Sequence, residues 1–500
     1  MSLLAGIDIG TQGVKAALYA ADGRCLGEAF EPSQPNRPAQ GVVEEDPEFQ
    51  LASGCRLLRQ CVEQCGGPAV SALAIAGQMA GVIGIGADGM AVTPYDSWLD
   101  TRCGPQIGRM QREAGEAVLL ATGNAPSFNH GPKMLWWKEE RPADFARIVK
   151  FVQPGGYVAM RLCGLSAADA FIDTTYLHFS GFADNRGRQW DAELCRRFGL
   201  SITKLPRIVA PEQRVGAITQ QMAAQCGLAA GTPVMAGCGD TAASFLACGA
   251  TAAGIGVDVA GTASVFAATV GSFSPDIHGG TLGCGRSATP GLWHPYAYIN
   301  GGGMNLEWFR REFGGADFEE LNALAGAVDP AADLPVFVPH LGGRVSPAWP
   351  ALRGAWAGLS WDHSRGALFR AMLESVALEY ALYQQALRRL LPEMALGELR
   401  ITGGGEKSAL WNQLKADVLQ TPIVQIGHGG GAPMGAAMLA AVGTGRFPDT
   451  AAAAASWVQL GRRFTPDPAR AGHYQSRITR YDALLHALDK WAATGPPATA

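Results

Sequence analysis

The stretch that decides the fold is residues 6–15, which read Gly6-Ile7-Asp8-Ile9-Gly10-Thr11-Gln12-Gly13-Val14-Lys15. It is an apolar run broken by one acid, followed by a glycine turn and a second apolar run. An Asp-Gly turn at residues 22–23 then leads into a third run, over residues 24–29. Short apolar runs joined by glycine turns predict three consecutive antiparallel strands.

This context excludes two common nucleotide-binding loops. A dinucleotide fingerprint needs a helix after its glycines, and here the turn leads into a strand. A Walker loop needs Gly-Lys-Ser/Thr, which the stretch lacks. What remains is a carboxylate, Asp8, beside turn N–H groups and a hydroxyl. That set suits Mg²⁺ held by the acid, directly or through water, with phosphate oxygens held by the turn. An ordinary hairpin with an exposed acid is the alternative.

A second copy of the pattern favours the phosphate interpretation. Residues 256–265 read Gly256-Val257-Asp258-Val259-Ala260-Gly261-Thr262-Ala263-Ser264-Val265, with one extra residue between the acid and the Gly-Thr pair. Two similar turns about half the chain apart predict two similar domains that face one another. Both turns would then hold one polyphosphate from opposite sides.

With these motifs the chain resembles the FGGY carbohydrate kinases, most closely their xylulokinase-like branch, within the actin, sugar-kinase and heat-shock ATPase superfamily. The resemblance covers nearly the whole chain. It implies an α/β fold of two ribonuclease H-like (actin-like ATPase) domains with mixed sheets and an active site in the cleft between them. We place the domains at residues 1–245 and 246–490. The tail, 491–500, ends in Gly, Pro, Ala and Thr only and is predicted to be disordered.

Composition excludes several other classes of protein. A chain of 500 residues, 48% apolar and 17% charged, predicts two or more globular domains. A net charge of −4 without a basic cluster gives no support for binding nucleic acid or an anionic membrane. No apolar run reaches 18 residues, so no membrane span is expected. The 11 cysteines lack metal-type spacing and the N-terminus lacks a basic leader, which predicts a reduced, cytoplasmic protein.

The acceptor-binding residues are predicted where a buried strand over residues 70–76 ends. Ligands of α/β sheets bind beyond strand ends, so Gln78, Met79 and Ala80 are candidate sugar contacts. Xylulokinases are similar here but carry His where this chain has Ala80, which leaves the identity of the sugar open. In the next loop Trp98 and Asp100 suit a polyol, because a carboxylate accepts from hydroxyls and an aromatic face covers C–H groups. The alternative is a capping acid with a core tryptophan.

The predicted general base is Asp240, in Gly237-Cys238-Gly239-Asp240-Thr241-Ala242-Ala243. Phosphoryl transfer needs a base within hydrogen-bond reach of the attacking hydroxyl. The family has its catalytic acid in a similar setting, so the resemblance implies that Asp240 is the base and also contacts the acceptor. A helix N-cap is the alternative role and is compatible with it.

The remaining predicted site residues would bind ATP. Glycine at strand ends lets backbone lie close to a flat ligand, although Ser408 could equally be only a helix cap. The stretch 276–293 is predicted to be irregular. The predicted cofactor contacts are Gly10, Thr11, Gln12, Gly13, Lys15, Gly261, Thr262, Gly303, Gly403, Gly404, Gly405 and Ser408.

These residues together predict ATP- and Mg²⁺-dependent phosphorylation of a terminal hydroxyl on a small sugar, a ketopentose such as D-xylulose. The alternatives are another acceptor (glycerol, gluconate or ribulose) and a non-catalytic ATP- or sugar-sensing protein of the same fold. The expected partners are the sugar and ATP, and a homodimer is the base-rate expectation.

Overall fold

The computed structural model describes residues 3–67, 69–329, 332–427 and 430–494. The three predicted N-terminal strands are present as β1 (Leu3–Ile9), β2 (Gly13–Tyr19) and β3 (Cys25–Pro32). Each pairs antiparallel with the next, so the predicted meander is confirmed. Of the predicted tail, residues 495–500 lie outside the described residues.

The rest of the first half alternates strands and helices around that meander. Its further strands are β4 (Glu44–Glu45), β5 (Val70–Gly77), β6 (Ile83–Ile85), β7 (Tyr95–Asp96), β8 (Lys150–Val152), β9 (Phe171–Asp173), β10 (Ala183–Asp184), β11 (Gln189–Trp190), β12 (Arg207–Val209), β13 (Arg214–Ala217), β14 (Pro233–Met235) and β15 (Cys238–Gly239). Its helices are α1 (Pro47–Gln64), α2 (Gly104–Thr122), α3 (His130–Glu140), α4 (Pro142–Arg147), α5 (Pro154–Cys163), α6 (Ala192–Arg197), α7 (Gln220–Cys226) and α8 (Asp240–Ala247). Three 3₁₀ turns lie at Ala167–Asp169, Thr174–Phe179 and Ile202–Lys204.

The first-half sheet is mixed and runs in the order β13-β14-β5-β1-β2-β3, with β15 also paired to β5. The neighbours of the meander, β5, β14 and β15, join in parallel. As a result β1 and β5 end at the same edge of the sheet, with Ile9 opposite Gly77. Parallel strands present ligand-binding loops at their carboxyl ends, and the loops after both strands carry predicted site residues.

The second half contains the remaining elements. Its strands are β16 (Ile255–Ala260), β17 (Ser264–Ala268), β18 (Gly283–Arg286), β19 (Trp293–Ile299), β20 (Val336–Val338), β21 (Arg344–Val345), β22 (Ala348–Trp349), β23 (Ala355–Ala357), β24 (Glu398–Thr402), β25 (Ile423–Ile426) and β26 (Leu460–Phe464). Its helices are α9 (Gly302–Glu312), α10 (Phe318–Gly326), α11 (Arg365–Leu390), α12 (Ala409–Leu419), α13 (Gly431–Gly443), α14 (Thr450–Trp457) and α15 (Ala471–Ala492). Two 3₁₀ turns lie at Gly404–Lys407 and Pro468–Arg470.

The second-half sheet repeats the plan of the first, in the order β18-β19-β17-β16-β24-β25-β26. The hairpin β16–β17 corresponds to β1–β2, and the parallel neighbour β24 corresponds to β5. The chain therefore forms two α/β domains with mixed sheets, as predicted. One local prediction is wrong: the stretch 276–293, expected to be irregular, contains β18. This strand forms because Gly283 to Arg286 pair antiparallel with β19 despite their poor strand composition.

Helices α8 and α13 lie where the two halves of the chain meet. Alanine-rich α13 comes from the second half, yet its buried residues pack into one core with Leu4, Ala74 and Ala243 of the first half. The approach is close, since a Cβ on Gly435 would lie 2.0 Å from the Ala243 carbonyl oxygen. On its other side α8 packs Phe245 against Val257 and Ala267 of the second sheet. Small residues thus allow the helices at the domain boundary to touch.

Within the described ranges, no helix has both the length and the apolar character needed to cross a bilayer.

Candidate active site

The two glycine turns predicted to hold phosphate meet across the domain boundary. The first turn connects β1 to β2, and the second connects β16 to β17. The Gln12 side-chain amide in the first turn donates a 2.9 Å hydrogen bond to the Thr262 hydroxyl in the second. These residues are 250 positions apart in the chain. The structure therefore brings the two repeats of the motif into contact through their turns.

Both turns present backbone N–H groups that are available to a ligand. In the first turn, Gly10 and Gly13 bond to each other through N···O distances of 3.0 and 3.3 Å. The amides of Thr11 and Gln12 between them donate to no atom in the described part of the chain. In the second turn Gly261 donates to the Ala263 carbonyl at 3.0 Å, and the Thr262 amide likewise has no acceptor among the described residues. Adjacent free N–H groups form an anion-binding concavity.

Gly303, predicted to contact ATP, packs against the second turn and bonds to it. At the start of α9 its N–H donates to the Gly261 carbonyl at 3.0 Å, and Met304 donates to the Thr262 carbonyl at 3.1 Å. A Cβ on Gly303 would lie 2.4 Å from the Gly261 oxygen. Only glycine allows this approach, so the residue shapes the turn.

The glycines predicted to bind ATP at residues 403–405 lie beside the same turn. Gly403 has φ of +92°, and a Cβ there would lie 2.8 Å from the Ala260 carbonyl oxygen, so a side chain is disfavoured twice. Ser408 caps α12, because its hydroxyl accepts from the Trp411 N–H at 3.2 Å and donates to Asn322 Oδ1 at 2.8 Å. These hydrogen bonds show that Ser408 is a helix cap, while its contact with the nucleotide stays a prediction.

The two predicted acceptor loops, one after β5 and one after β7, each touch the first turn. Gln78 donates from its backbone to the Ile9 carbonyl at 3.0 Å and from its side chain to the Gly10 carbonyl at 3.3 Å. Trp98 donates from its indole N–H to the Thr11 hydroxyl at 2.8 Å. Met79 is buried against Gly239, where an added Cβ would lie 2.5 Å from the Met79 methyl group. The loop after β5 therefore extends from the phosphate turn to Gly239, the residue before Asp240, and Ala80 within this loop is half-buried.

Asp100 is placed less favourably for the predicted sugar contact. It is 2% exposed, and its carboxylate accepts from the Val43 N–H at 2.8 Å and from Arg102 at 2.9 Å. The same guanidinium donates to Asp96 at 2.8 Å. Burial raises the pKa of Asp96 to about 7, against the lowering effect of the Lys133 and Arg102 charges. The geometry gives Asp100 a structural ion pair, and its role toward a sugar stays a prediction.

Asp240 begins α8 and is half-buried at the same edge of the first sheet. Its Oδ1 accepts from the Thr241 backbone N–H at 2.6 Å and from the Thr241 hydroxyl at 3.1 Å. Burial raises the pKa of Asp240 to about 6, although the two Thr241 bonds lower it. A carboxylate with this pKa is ionised at neutral pH and still basic enough to accept a proton.

Two tyrosines that the sequence analysis did not predict lie near this carboxylate. The Tyr176 hydroxyl donates at 2.9 Å to the carbonyl of Gly77, the last residue of β5 and the residue before Gln78. Burial, and further the charge of Asp240, raise the pKa of both Tyr95 and Tyr176. No local pattern marks these residues, since each reaches the site from a segment without a glycine turn.

Asp8 combines burial with an unsatisfied oxygen. Its Oδ1 is buried without a hydrogen-bond partner in the described structure. Burial and the nearby Asp240 charge raise the pKa of Asp8 well above its usual value, whereas Lys15 lowers it. Lys15 lies opposite on β2 and forms an ion pair with Glu28 at 2.9 Å. An orphaned carboxylate oxygen next to a second acid is a favourable place for a cation.

The donor set fits Mg²⁺ bound together with phosphate. Among the described residues no group of three or more His, Cys, Asp or Glu side chains could hold a metal ion. Mg²⁺ in phosphoryl-transfer sites typically uses one or two carboxylates and completes its shell with water and phosphate oxygens. Asp8, with the turn N–H groups alongside for the phosphate, meets that requirement.

The acid of the second repeat has a different environment. Asp258 and Lys415 are both fully buried and form an ion pair, and the Tyr380 hydroxyl donates to Asp258 at 2.8 Å. Lys415 Nζ also lies 3.9 Å from the Trp411 ring centroid. The second-half carboxylate is thus neutralised internally, so of the two hairpin acids only Asp8 offers an unpartnered oxygen.

A pH dependence follows from the raised pKa of Asp240. A base must be ionised to accept a proton, so activity is expected to be lost as pH falls through about 6. Below that value kcat/KM should drop about tenfold per pH unit. Because Asp8 and Asp240 interact, the apparent pKa read from the acidic side of the pH profile belongs to the pair of carboxylates and not to Asp240 alone. Initial rates in overlapping buffers from pH 5 to 8 measure this, and a flat profile down to pH 5 would contradict it.

The chain is similar to known proteins over nearly its whole length. The family model "FGGY family of carbohydrate kinases, N-terminal domain" matches residues 3–247, and the model for the C-terminal domain of that family matches residues 256–444. A xylulose kinase of Bacillus subtilis (strain 168) is 27% identical and covers 96% of both chains. A gluconokinase of the same organism is 26% identical and covers 98% of this chain and 96% of its own. The crystal structure of a xylulose kinase from Rhodospirillum rubrum superposes with a TM-score of 0.89 at 28% identity, covering 98% of this chain and 100% of the other.

Proposed function

This chain belongs to the FGGY family of carbohydrate kinases, and we propose that it transfers the γ-phosphoryl group of ATP to a terminal hydroxyl of a ketopentose such as D-xylulose. Kinases of this family use ATP and a sugar. The observation that carries the proposal is the Gln12–Thr262 bond, which joins the two turns. Asp8, at the end of the strand before the first turn, is also close enough to Asp240 for the charge of Asp240 to raise its pKa. Relatives called xylulose kinases support the ketopentose.

In the proposed reaction Asp240 removes the proton from the acceptor hydroxyl. The resulting oxygen attacks the γ-phosphorus, a new P–O bond forms, and the bond from that phosphorus to the β,γ-bridging oxygen breaks. ADP leaves with the bonding electron pair, and the proton stays on Asp240 until solvent takes it. The free N–H groups of Thr11, Gln12 and Thr262 bind phosphate oxygens and hold the group in line. Such catalysis is mostly positioning and charge stabilisation.

Asp8 is the residue that would hold Mg²⁺ in this mechanism, directly or through water. When bound, the ion neutralises charge on the phosphates. The positive charge of the ion would also offset the repulsion between Asp8 and Asp240, which contributes to the raised pKa of Asp8. Closure of the two lobes over the phosphates excludes water, which limits wasteful hydrolysis of ATP.

A sugar acid is the second candidate acceptor, and Ala80 is the observation that favours it. The residue is small and half-buried in the acceptor loop, where xylulokinases resemble this chain but carry His. An alanine enlarges the pocket and removes a hydrogen-bond partner. A relative called gluconokinase, matched over nearly the whole chain, has comparable identity.

A panel of acceptors tests the proposal. Coupled ADP release should be measured with D-xylulose, L-xylulose, D-ribulose, gluconate and glycerol, each with Mg²⁺ and ATP. We expect a ketopentose to give the highest kcat/KM. Ala80→His should shift the preference further toward the ketopentose over gluconate, because it restores a hydrogen-bond partner and narrows the pocket. A higher kcat/KM for gluconate or glycerol would replace the proposed acceptor, and ADP release independent of any acceptor would favour the sensor alternative.

A further inference from the structure

Glu45 is a buried carboxylate that the proposed mechanism does not yet use. It ends β4, directly before the capped start of α1, and is 7% exposed. Its two oxygens accept from two different side-chain amides: Oε2 from Gln50 at 3.1 Å and Oε1 from Gln78 at 3.0 Å. Within the described residues it forms no ion pair. A buried acid is costly, and the described groups that donate to this one are neutral.

The side-chain amide of Gln78 connects Glu45 to the phosphate turn through hydrogen bonds. Its Nε2 donates both to Glu45 and to the Gly10 carbonyl, at 3.3 Å. Its Oε1 lies 3.5 Å from the Tyr95 hydroxyl. Gly10 is the first residue of the turn, and its N–H and carbonyl both bond to Gly13. One chain of hydrogen bonds therefore runs from α1 through Glu45 and Gln78 to the turn that carries the free Thr11 and Gln12 amides.

We propose that Glu45 is a positioning residue for the nucleotide phosphates: it fixes the orientation of the Gln78 amide, which in turn holds the Gly10–Gly13 turn in its binding shape. This deepens the proposed function and rests on it for the role of the turn. A carboxylate is suited to this task because both of its oxygens only accept. It therefore forces Gln78 to present Nε2, and the same NH₂ group then reaches Gly10. A reversed amide would direct Oε1 at the Gly10 oxygen.

Gln78 thereby receives a role different from the sugar contact predicted from sequence. Its backbone N–H is used by Ile9, and its side chain by Glu45, Gly10 and Tyr95. Gln78 then acts on the phosphate turn from the acceptor loop. A change at Glu45 should consequently be felt in nucleotide binding more than in acceptor binding.

Glu45→Gln tests this with almost no change in volume. A glutamine at position 45 has one acceptor oxygen and one NH₂ group, so it no longer forces Gln78 to present Nε2. We expect the Kd for ATP with Mg²⁺, measured by isothermal titration calorimetry, to rise at least fivefold and kcat to fall about tenfold, while the KM for the acceptor stays within twofold. The expected fall in kcat is at the lower end of the roughly 10–100-fold losses caused by removing outer-shell hydrogen bonds around metal ligands.

The double variant Glu45→Gln/Gln78→Glu separates positioning from simple structural support. It keeps a carboxylate–amide pair between the two sites, but residue 78 can no longer donate to Gly10. Weak nucleotide binding in the folded double variant supports the proposal, and recovery of wild-type affinity overturns it in favour of a structural pair. Wild-type affinity in Glu45→Gln, or loss of folding in both variants by thermal melting, also overturns it. If the wild-type protein itself bound no nucleotide, the proposed function would fail instead.

Discussion

Asp240→Asn is expected to lower kcat about 10²–10⁴-fold, the contribution of a positioned general base, while the Kd for ATP with Mg²⁺ changes less than threefold. Asparagine keeps the shape of the residue and can still accept from the Thr241 N–H, which now bonds to Oδ1 at 2.6 Å. It cannot take the acceptor proton. The loss should therefore appear in turnover and not in nucleotide binding, as measured by coupled ADP release and calorimetry.

The fold should tolerate this change. Removal of the Asp240 charge relieves one of the effects that raise the pKa of Asp8, so the ligand-free variant should melt no lower than the wild type. Asp191→Asn is the matched control, because Asp191 caps α6 by accepting from the Glu193 and Leu194 amides. Asparagine caps about as well as aspartate, so that variant should keep full activity. Turnover in Asp240→Asn within threefold of the wild type would remove Asp240 from the mechanism.

Lys415→Met is expected to cause the largest loss of stability. Lys415 and Asp258 are both fully buried, and removal of the cation leaves a carboxylate whose remaining described hydrogen bond comes from Tyr380. Breaking a buried ion pair from one side costs about 3–5 kcal/mol of unfolding free energy. For a domain of this size the melting temperature should fall by roughly 10 °C. Scanning calorimetry of the ligand-free protein measures the shift.

Two further variants establish the cause of that loss. Lys407→Met makes the same substitution at an exposed lysine and should change the melting temperature very little. Lys415→Met/Asp258→Asn removes both charges and should recover much of the lost stability, since the uncompensated carboxylate is gone. A single variant as stable as the wild type would mean that the second-half acid is not held by this pair.

The elements that were predictable from sequence are those with local signals. Alternating apolar runs and glycine turns indicate β1, β2 and their second-half counterparts, because strand period and turn chemistry are short-range properties. The Gly-x-Gly-Asp sequence likewise marks the start of α8. Contacts between distant segments carry no such signal. Lys415 neutralises Asp258 from 157 residues away, and nothing around either residue indicates it.

The acceptor side shows the same limit. Asp100 has the residue type of a sugar ligand, yet the structure commits its carboxylate to Arg102 and Val43. Glu45 is one of three consecutive acids before a helix, a pattern typical of an exposed N-terminus. Its burial depends on contacts between separate segments, because Gln50 in α1 and Gln78 after β5 both bond to it. The type of a residue can therefore suggest a role in a site, but its burial and its hydrogen-bond partners determine whether its side chain is available to a ligand.

One turn from each domain is proposed to bind a single triphosphate beside Asp240. The most direct test is a crystal structure of the protein with Mg²⁺, a non-hydrolysable ATP analogue and the best acceptor of the panel. We expect phosphate oxygens within hydrogen-bond distance of the Thr11 or Gln12 amide and of the Thr262 amide, with an acceptor hydroxyl against Asp240. A triphosphate bound by one lobe only, or an acceptor hydroxyl out of reach of Asp240, would contradict the claim.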